Sequence, residues 1–263
     1  MFERVVSDVR ITIDENKGAR MASWQIGDLQ LLAPFSEDLA HSIDWGNYPM
    51  APWTGRVPNG IFEYDGKRYQ LPINFGSHSI HGTTFDRAWK RHGDQDLYSI
   101  DLGADWPFPG SASVHYHLEA DSLLIQVKVT SEKDVFPACC GLHPWFLRHL
   151  ARGGKAQLDF QAKKMYVRKE DDEIVADLIE PTPPPWDDCF TDVSQPVTIT
   201  WPNALELKIV SSHNHWVVYT QPSHALCVEP MTGPPGSINI EPRLISPENP
   251  LVLEVRFSWK RLN

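Results

Sequence analysis

The stretch LLIQVKVT, residues 123–130, alternates strictly. Leu123, Ile125, Val127 and Val129 fall on one side, and Gln126, Lys128 and Thr130 on the other. A strand sends successive side chains to opposite faces, so this is the signature of a half-buried strand and does not fit a helix with a 3.6-residue period. ALELKIV (204–210), VRITID (9–14) and LVLEVRFSW (251–259) repeat the pattern. Burial on one face only is the habit of antiparallel sheets. Within EYDGKRYQL (63–71), Asp65-Gly66 separates two strand-like halves and predicts a tight hairpin. EADSLL (119–124) reads as a second turn. No segment carries a convincing helical period; KKMYVRKEDDEIVADLIE (163–180) has a weak one at most. Proline-rich DWPFPG (105–110), EPTPPPWDD (180–188) and EPMTGPPG (229–236) read as long ordered loops, the places where β domains often carry function. There is no internal repeat and no low-complexity linker. The pattern therefore predicts an all-β chain: one large antiparallel β-sandwich of two curved sheets, a single domain over residues 1–263.

Composition narrows the function. A formal net charge of −10 with no basic run argues against nucleic acid, which needs clustered Lys and Arg. No run of about 18 apolar residues occurs, so no membrane helix is expected. The opening MFERVVSDVR has no apolar stretch resembling a secretory signal. The four cysteines, Cys139, Cys140, Cys189 and Cys227, form no C-x-x-C pair. They read as reduced thiols of a cytoplasmic protein. Ten tryptophans against seven tyrosines offer flat platforms for a sugar, although large β domains also spend tryptophan on their cores.

Two histidine pairs, His115/His117 and His213/His215, have the i, i+2 spacing that puts both rings on one face of a strand. Together they could form a four-imidazole metal site. A cupin-type site also needs a carboxylate at its own spacing. Glu119 follows His117 by only two positions, and position 122 is serine. The fit is poor, and no metal is expected. In HSIHGTTFDRAW (78–89), two further histidines flank a glycine turn, which suits a metal, an active site or a plain loop.

Four segments in a fixed order carry a resemblance. They are MAPWTGRVPNGIFEYDGKRYQL (50–71), NFGSHSIHGTTFDRAW (74–89), CCGLHPWFLR (139–148) and VVYTQPSHALCVEPMTGPPGSIN (217–239), with LISPENPLVLEVRFSW (244–259) near the end. In order and spacing the chain resembles the aldose 1-epimerase, or galactose mutarotase, family, in its divergent bacterial branch. That family has an N-R-I segment, an L-H-G turn, an H-P-Y-F-type segment and a glutamate in an E-P-type loop before P-x-x-x-N. The resemblance implies the galactose mutarotase type of β-sandwich. It also implies an isomerase that interconverts the α and β anomers of a free hexose or related aldose, with no cofactor.

The resemblance assigns roles one residue at a time. Glu229 matches the catalytic base and His143, in GLHPWF, the general acid. His81, in SIHG, matches a histidine that binds the sugar and supports ring opening; His78 matches nothing. Arg56 and Asp187 match residues that hold sugar hydroxyls, with Asp188 the alternative to Asp187. Trp145, Trp53 and Phe85 are the expected aromatic walls. Three positions depart from the family pattern: Gly55 replaces the usual asparagine before the arginine, Thr83 a second glycine, and Val218 a glutamine. All three touch sugar contacts, so they bear on substrate more than on chemistry.

The chemistry explains the residue types. Opening a hemiacetal needs one group to take the C1 hydroxyl proton and another to protonate the ring oxygen, on opposite sides of one pocket. A carboxylate and an imidazole can both be tuned toward neutrality by burial and neighbours. Two other readings stay open. One is a hexose-phosphate mutarotase, for which Arg87, Lys90 and Arg91 are the candidate basic residues. The other is a non-catalytic carbohydrate-binding or regulatory protein on the same fold. The partner expected throughout is a small sugar, and the assembly a monomer or homodimer.

Overall fold

Strand pairing follows the alternation. In the computed structural model, which describes residues 1–38, 43–169 and 173–262, the LLIQVKVT segment lies in the strand Ser122–Ser131. It pairs antiparallel with Gly110–Leu118 on one side and Leu251–Arg261 on the other. Leu123, Ile125, Val127 and Val129 are all fully buried, as their spacing requires.

Among the described residues, two large antiparallel sheets dominate. The eight-stranded sheet runs in the order Lys90–His92, Leu97–Asp101, Gly110–Leu118, Ser122–Ser131, Leu251–Arg261, Leu205–Ser211, Val197–Trp201, Gln157–Asp159. The eleven-stranded sheet begins Phe2–Val6, Val9–Asp14, Arg20–Ile26, Asn47–Met50, Gly141–Leu147. It continues through Ala225–Met231, His215–Tyr219, Asp187–Val193, Ala162–Arg168 and Ile174–Ile179, with Leu29–Gln30 paired to the side of Arg20–Ile26. One helix, Ser237–Ile240, is a single turn. No described helix is long and apolar enough to cross a membrane.

The sheets pack face to face. Trp24 meets Phe257 and Trp259 edge-on at 5.3 and 5.5 Å, and Phe146 lies 6.4 Å from Phe257. Val228, Val218, Val127, Val255 and Leu207 fill the same layer, all fully buried. Each large apolar side chain buried in this way contributes about 1.5–3 kcal/mol, so the interlayer core, not any single hairpin, carries the fold. A second apolar cluster covers the outer face of the eleven-stranded sheet: Tyr48, Met50, Ile80, Phe85, Trp145, Cys189, Cys227 and Met231. That face carries the site.

The Asp65-Gly66 hairpin forms between Ile61–Tyr64 and Lys67–Gln70. Both turn residues have positive φ, 51° and 69°, the backbone a two-residue hairpin needs. The 163–180 stretch, which has no convincing helical period, contributes to strands Ala162–Arg168 and Ile174–Ile179. One expectation is corrected: Glu229 and Pro230, read as part of a loop, lie inside the strand Ala225–Met231, with Pro230 opposite Trp216. His143 and Pro144 likewise lie inside Gly141–Leu147, where Pro144 pairs Asn47. Proline has no N–H to give the ladder, but cross-strand packing on both faces holds these strands in place.

Candidate active site

Register alone brings the central pair together. On the two neighbouring strands, Gly141 opposes Met231 and Trp145 opposes Cys227. His143 and Glu229 are the residues midway, so they face each other across the ladder. His143 Nε2 lies 3.5 Å from Glu229 Oε1. Period-2 alternation sends Phe146 and Val228 into the interlayer core and leaves His143, Trp145, Cys227 and Glu229 on the outer face. The same row continues sideways, with Tyr48 opposite His143 and Val217 opposite Glu229. Both faces of these strands are buried, which is why GLHPWF and ALCVEPM lack the polar–apolar alternation of the other strands.

A short ribbon adds two more groups. Arg56–Pro58 pairs with His78–Ile80, Arg56 opposite Ile80. The His81 N–H donates to the Gly55 carbonyl at 3.1 Å, and the Gly55 N–H donates back to His81 Nδ1 at 3.3 Å. With Nδ1 accepting, the proton of a neutral ring sits on Nε2, so His81 offers a donor through its other nitrogen. The turn is tight. His81 has φ 60° and Gly82 φ 86°, and a Cβ on Gly82 would fall 1.9 Å from the Ala51 carbonyl oxygen. Gly55 has φ 62°, and a Cβ there would lie 2.3 Å from Pro235 Cβ. The departure at Gly55 is thus explained locally: the loop of Pro235 packs against this backbone and leaves no room for a side chain.

These groups line one cavity of about 490 Å³, a size that suits a sugar ring. His81, His143, Glu229, Arg56, Asp187 and Trp145 all border it. Asp188 does not, which separates the two adjacent aspartates. The aromatic walls are partly corrected. Trp145 is one, but Trp53 is a core residue stacked near Trp106, and Phe85 sits behind Tyr48 and His81. Phe75 and Tyr219 take the places expected of them. His78 is half-buried on the ribbon, beside Ser77 Oγ at 3.3 Å and away from the cavity.

Several cavity groups carry no motif. Arg168, from the stretch read as weakly helical, donates to the Asp187 carbonyl and lies 3.5 Å from Asp187 Oδ1 and 3.7 Å from Asp188 Oδ1. Beneath the cavity, planar groups form a stack. The Arg20 guanidinium lies 4.4 Å from the Trp45 ring centre and 4.2 Å from that of Tyr48. Tyr48 stacks on His143 at 5.0 Å, and His143 on Trp145 at 5.3 Å and 11°. Trp145 stacks in turn on His224 at 6.0 Å. Held between two rings, the His143 imidazole can present only its edge to Glu229. A buried arginine between aromatic rings is not readable from RMASWQI, where Arg20 looks like the first residue of an ordinary strand.

Burial sets the electrostatics. Desolvation pushes the Glu229 carboxyl well above the ordinary carboxylate range; the Asp187 charge adds to the shift, and Arg56 and Arg168 oppose it. Desolvation pushes His143 well below the ordinary histidine range, helped by His81 and the Arg20 cation. His81 is lowered to about 3, by desolvation first and then by Arg56 and Arg20, and so stays neutral at physiological pH. Arg20 itself falls to about 10 through burial. An acid raised and a base lowered, side by side, hold one proton between them over a wide pH range. Such a pair can give a proton and take one in the same step.

The four-imidazole set is not assembled. His115 and His117 sit on the eight-stranded sheet. His213 Nε2 meets the Val252 carbonyl at 3.0 Å, and His215 Nε2 the Tyr166 hydroxyl at 3.1 Å. Among the described residues, the one group with metal-ligand spacing is His143, Cys227 and Glu229. All four cysteines are free and buried.

Comparison with known proteins bears on the family and the fold. Residues 14–254 match the sequence profile described as aldose 1-epimerase. The Escherichia coli K12 protein YihR, itself uncharacterised, is 28% identical over 256 residues, covering 84% of this chain and 80% of its own length. The structure of a GalM/aldose epimerase homologue from C. elegans superposes with a TM-score of 0.82 at 16% identity, over 99% of this chain and 98% of that one. Galactose 1-epimerase from Lactobacillus acidophilus gives 0.78 at 13% identity, over 99% and 93%. At such identities the superpositions establish the shared fold.

Proposed function

The chain belongs to the aldose 1-epimerase family, and from that premise we propose that it interconverts the α and β anomers of a free, uncharged aldose, with Glu229 and His143 as the proton-transfer pair. The observation that carries the proposal is the 3.5 Å approach of these two side chains on the floor of a sugar-sized cavity. The hydroxyl and ring oxygens of a hemiacetal are bonded to the same carbon. A base and an acid standing side by side can therefore reach both, in contrast to the opposite-side placement expected from sequence, and cross-strand neighbours provide it.

The shared proton rests on Glu229, the group that burial makes harder to ionise, and its transfer across the pair to His143 primes ring opening. Glu229 takes the proton of the C1 hydroxyl, the C1–O5 bond breaks, and His143 protonates O5. The product is the open-chain aldehyde. Rotation about C1–C2 turns the other carbonyl face to O5, and closure runs the transfers in reverse with the roles exchanged. His81, neutral and donating through Nε2, holds the oxygen that gains charge. Arg56 and Asp187 grip the remaining hydroxyls, and Trp145, stacked between His143 and His224, offers the ring its edge. Well-placed proton transfer typically contributes about 10²- to 10⁴-fold, enough for a reaction that already proceeds unaided. No step calls for a metal or cofactor.

An uncharged sugar is favoured over a phosphorylated one. The cavity is bordered by the carboxylates Asp44 and Asp187, by Glu229, which shares one proton with His143, and by two guanidiniums, Arg56 and Arg168, of which Arg168 already faces Asp187. A phosphate would want an excess of cations, which this lining does not offer. Arg87 is committed to the Thr83, Asp101 and Leu102 carbonyls. Arg91 lies over Phe2, and neither it nor Lys90 borders the cavity. A purely binding role would not need an acid–base pair at this distance. We further propose that the chain works as one domain in the cytoplasm, where four free thiols persist. Two-dimensional exchange NMR on several free aldoses and their 6-phosphates tests the reading. Faster exchange for at least one free sugar is expected. Acceleration of phosphates alone, or of nothing while a sugar still binds, would reject it.

A further inference from the structure

The strand that carries Glu229 also places a thiol in reach of the pair. Cys227 is two residues earlier, on the same strand face, opposite Trp145. One donor atom each from His143, Cys227 and Glu229 fall within 4.8 Å of one another. We propose that these three side chains bind a thiophilic divalent cation, with zinc the best match, and that the bound cation shuts the sugar out of the acid–base pair. Nothing in the reaction uses Cys227, so the site is additional to the chemistry and antagonistic to it.

The donor set fits. Zinc accepts imidazole nitrogen, thiolate sulfur and carboxylate oxygen at about 2.0–2.3 Å, in tetrahedral geometry. Two ligands on bonds of about 2.0 Å then stand roughly 3.3 Å apart, and His143 Nε2 and Glu229 Oε1 already stand 3.5 Å apart. Three protein donors leave a fourth position. His143 and Glu229 border the cavity, so that position opens toward it and can hold water. The rings stacked on both sides of His143 hold the imidazole in plane, with Nε2 already turned toward Glu229. Binding converts the thiol to thiolate and releases its proton to solvent. Hard cations such as magnesium prefer all-oxygen sites and are not expected to compete. The other cysteines lack this setting: Cys139 rests against the hydroxyls of Thr54 and Thr232 at 3.3 and 3.4 Å.

The binding claim stands on geometry alone; the exclusion claim rests on the epimerase reading. The test separates them. The full chain is stripped with a chelator and titrated with Co²⁺ as a spectroscopic probe. A thiolate-to-cobalt charge-transfer band in the near ultraviolet, with intense tetrahedral bands in the visible, is expected, and Zn²⁺ should bleach both. Cys227→Ser should lose the charge-transfer band, and Glu229→Gln, close in volume, should weaken cobalt binding. Cys189→Ser should leave the spectrum intact. In anomer exchange, Zn²⁺ should raise the apparent KM and chelator should reverse it. Cys227→Ser and Cys227→Ala should turn over near wild type without metal, yet need at least about tenfold more zinc for equal inhibition; even supporting groups around a metal typically contribute about 10- to 100-fold. A cobalt spectrum without thiolate character, or one unchanged in Cys227→Ser, overturns the site. Zinc inhibition that excess sugar does not relieve overturns the exclusion. A thiolate–cobalt band in a chain inactive on every aldose would keep the metal site and reject the epimerase reading.

Discussion

Glu229 Oε1 and His143 Nε2 lie 3.5 Å apart on adjacent antiparallel strands, both nearly excluded from solvent. The carboxyl is raised and the imidazole lowered by the same burial. The two therefore titrate as one unit that holds a single proton around neutrality, and the predictions that follow treat them so.

Glu229→Gln keeps the size and much of the hydrogen bonding but cannot accept the C1 proton. The expected loss is at least about 10²-fold, in kcat rather than KM, because the groups that hold the hydroxyls remain. Glu241→Gln is the internal control. Glu241 accepts from the Tyr166 hydroxyl at 3.0 Å and does not border the sugar-sized cavity. Anomer-exchange NMR on both variants checks this; wild-type turnover in Glu229→Gln would misplace the base.

The pH profile of kcat/KM should be a broad bell. Activity needs one proton on the pair. It is lost at low pH when a second proton binds, and burial of His143 sets that limb below the ordinary histidine range. It is lost at high pH when the last proton leaves, and burial of Glu229 sets that limb above the ordinary carboxylate range. Arg20→Met removes a cation that helps depress His143, so the acid limb should move to higher pH in that variant. An acid limb unmoved in a folded Arg20→Met protein would mean that Arg20 does not act on His143.

Stability should show the cost of the site. The folded Glu229 carboxyl holds its proton more tightly than the unfolded one. Its relative contribution is therefore intact below the unfolded carboxylate range and falls as pH rises toward the raised folded value. Glu229→Gln cannot ionise. It should melt higher than wild type at pH 8 but show little of that gain at pH 4, with each kcal/mol recovered giving roughly 2–4 °C. Thermal melts at the two pH values decide this; an equal shift at both would point to packing instead.

Asp187→Asn should raise KM by about tenfold, the loss of roughly one charge-assisted hydrogen bond, while Asp188→Asn should change it less. Asp187 borders the cavity and Asp188 does not. Because the Asp187 charge helps raise Glu229, the alkaline limb should also move to lower pH in Asp187→Asn. Steady-state kinetics across pH separates the two effects, and the reverse ranking of the two variants would return the sugar contact to Asp188.

The strands and one hairpin are legible in the sequence. Period-2 alternation in LLIQVKVT, ALELKIV and LVLEVRFSW fixes which side chains are buried, and Asp65-Gly66 fixes one turn through its backbone conformation. The ordered motifs also picked out Arg56, His81, His143, Trp145, Asp187 and Glu229, and all six border one cavity. How they meet is set by the assembled sheet. Strands buried on both faces, such as GLHPWFL and ALCVEPM, show no contrast that says which face is the pocket. Register between segments more than 80 residues apart is set by the whole sheet and by the core beneath it, not by local preference. That register made His143 and Glu229 neighbours and set Cys227 beside them, while the packing of segments nearer in sequence brought Arg168 to Asp187 and Arg20 under Tyr48. It also sent Trp53 and Phe85 into packing, because a tryptophan or phenylalanine reads the same in sequence whether it lines a cavity or fills one.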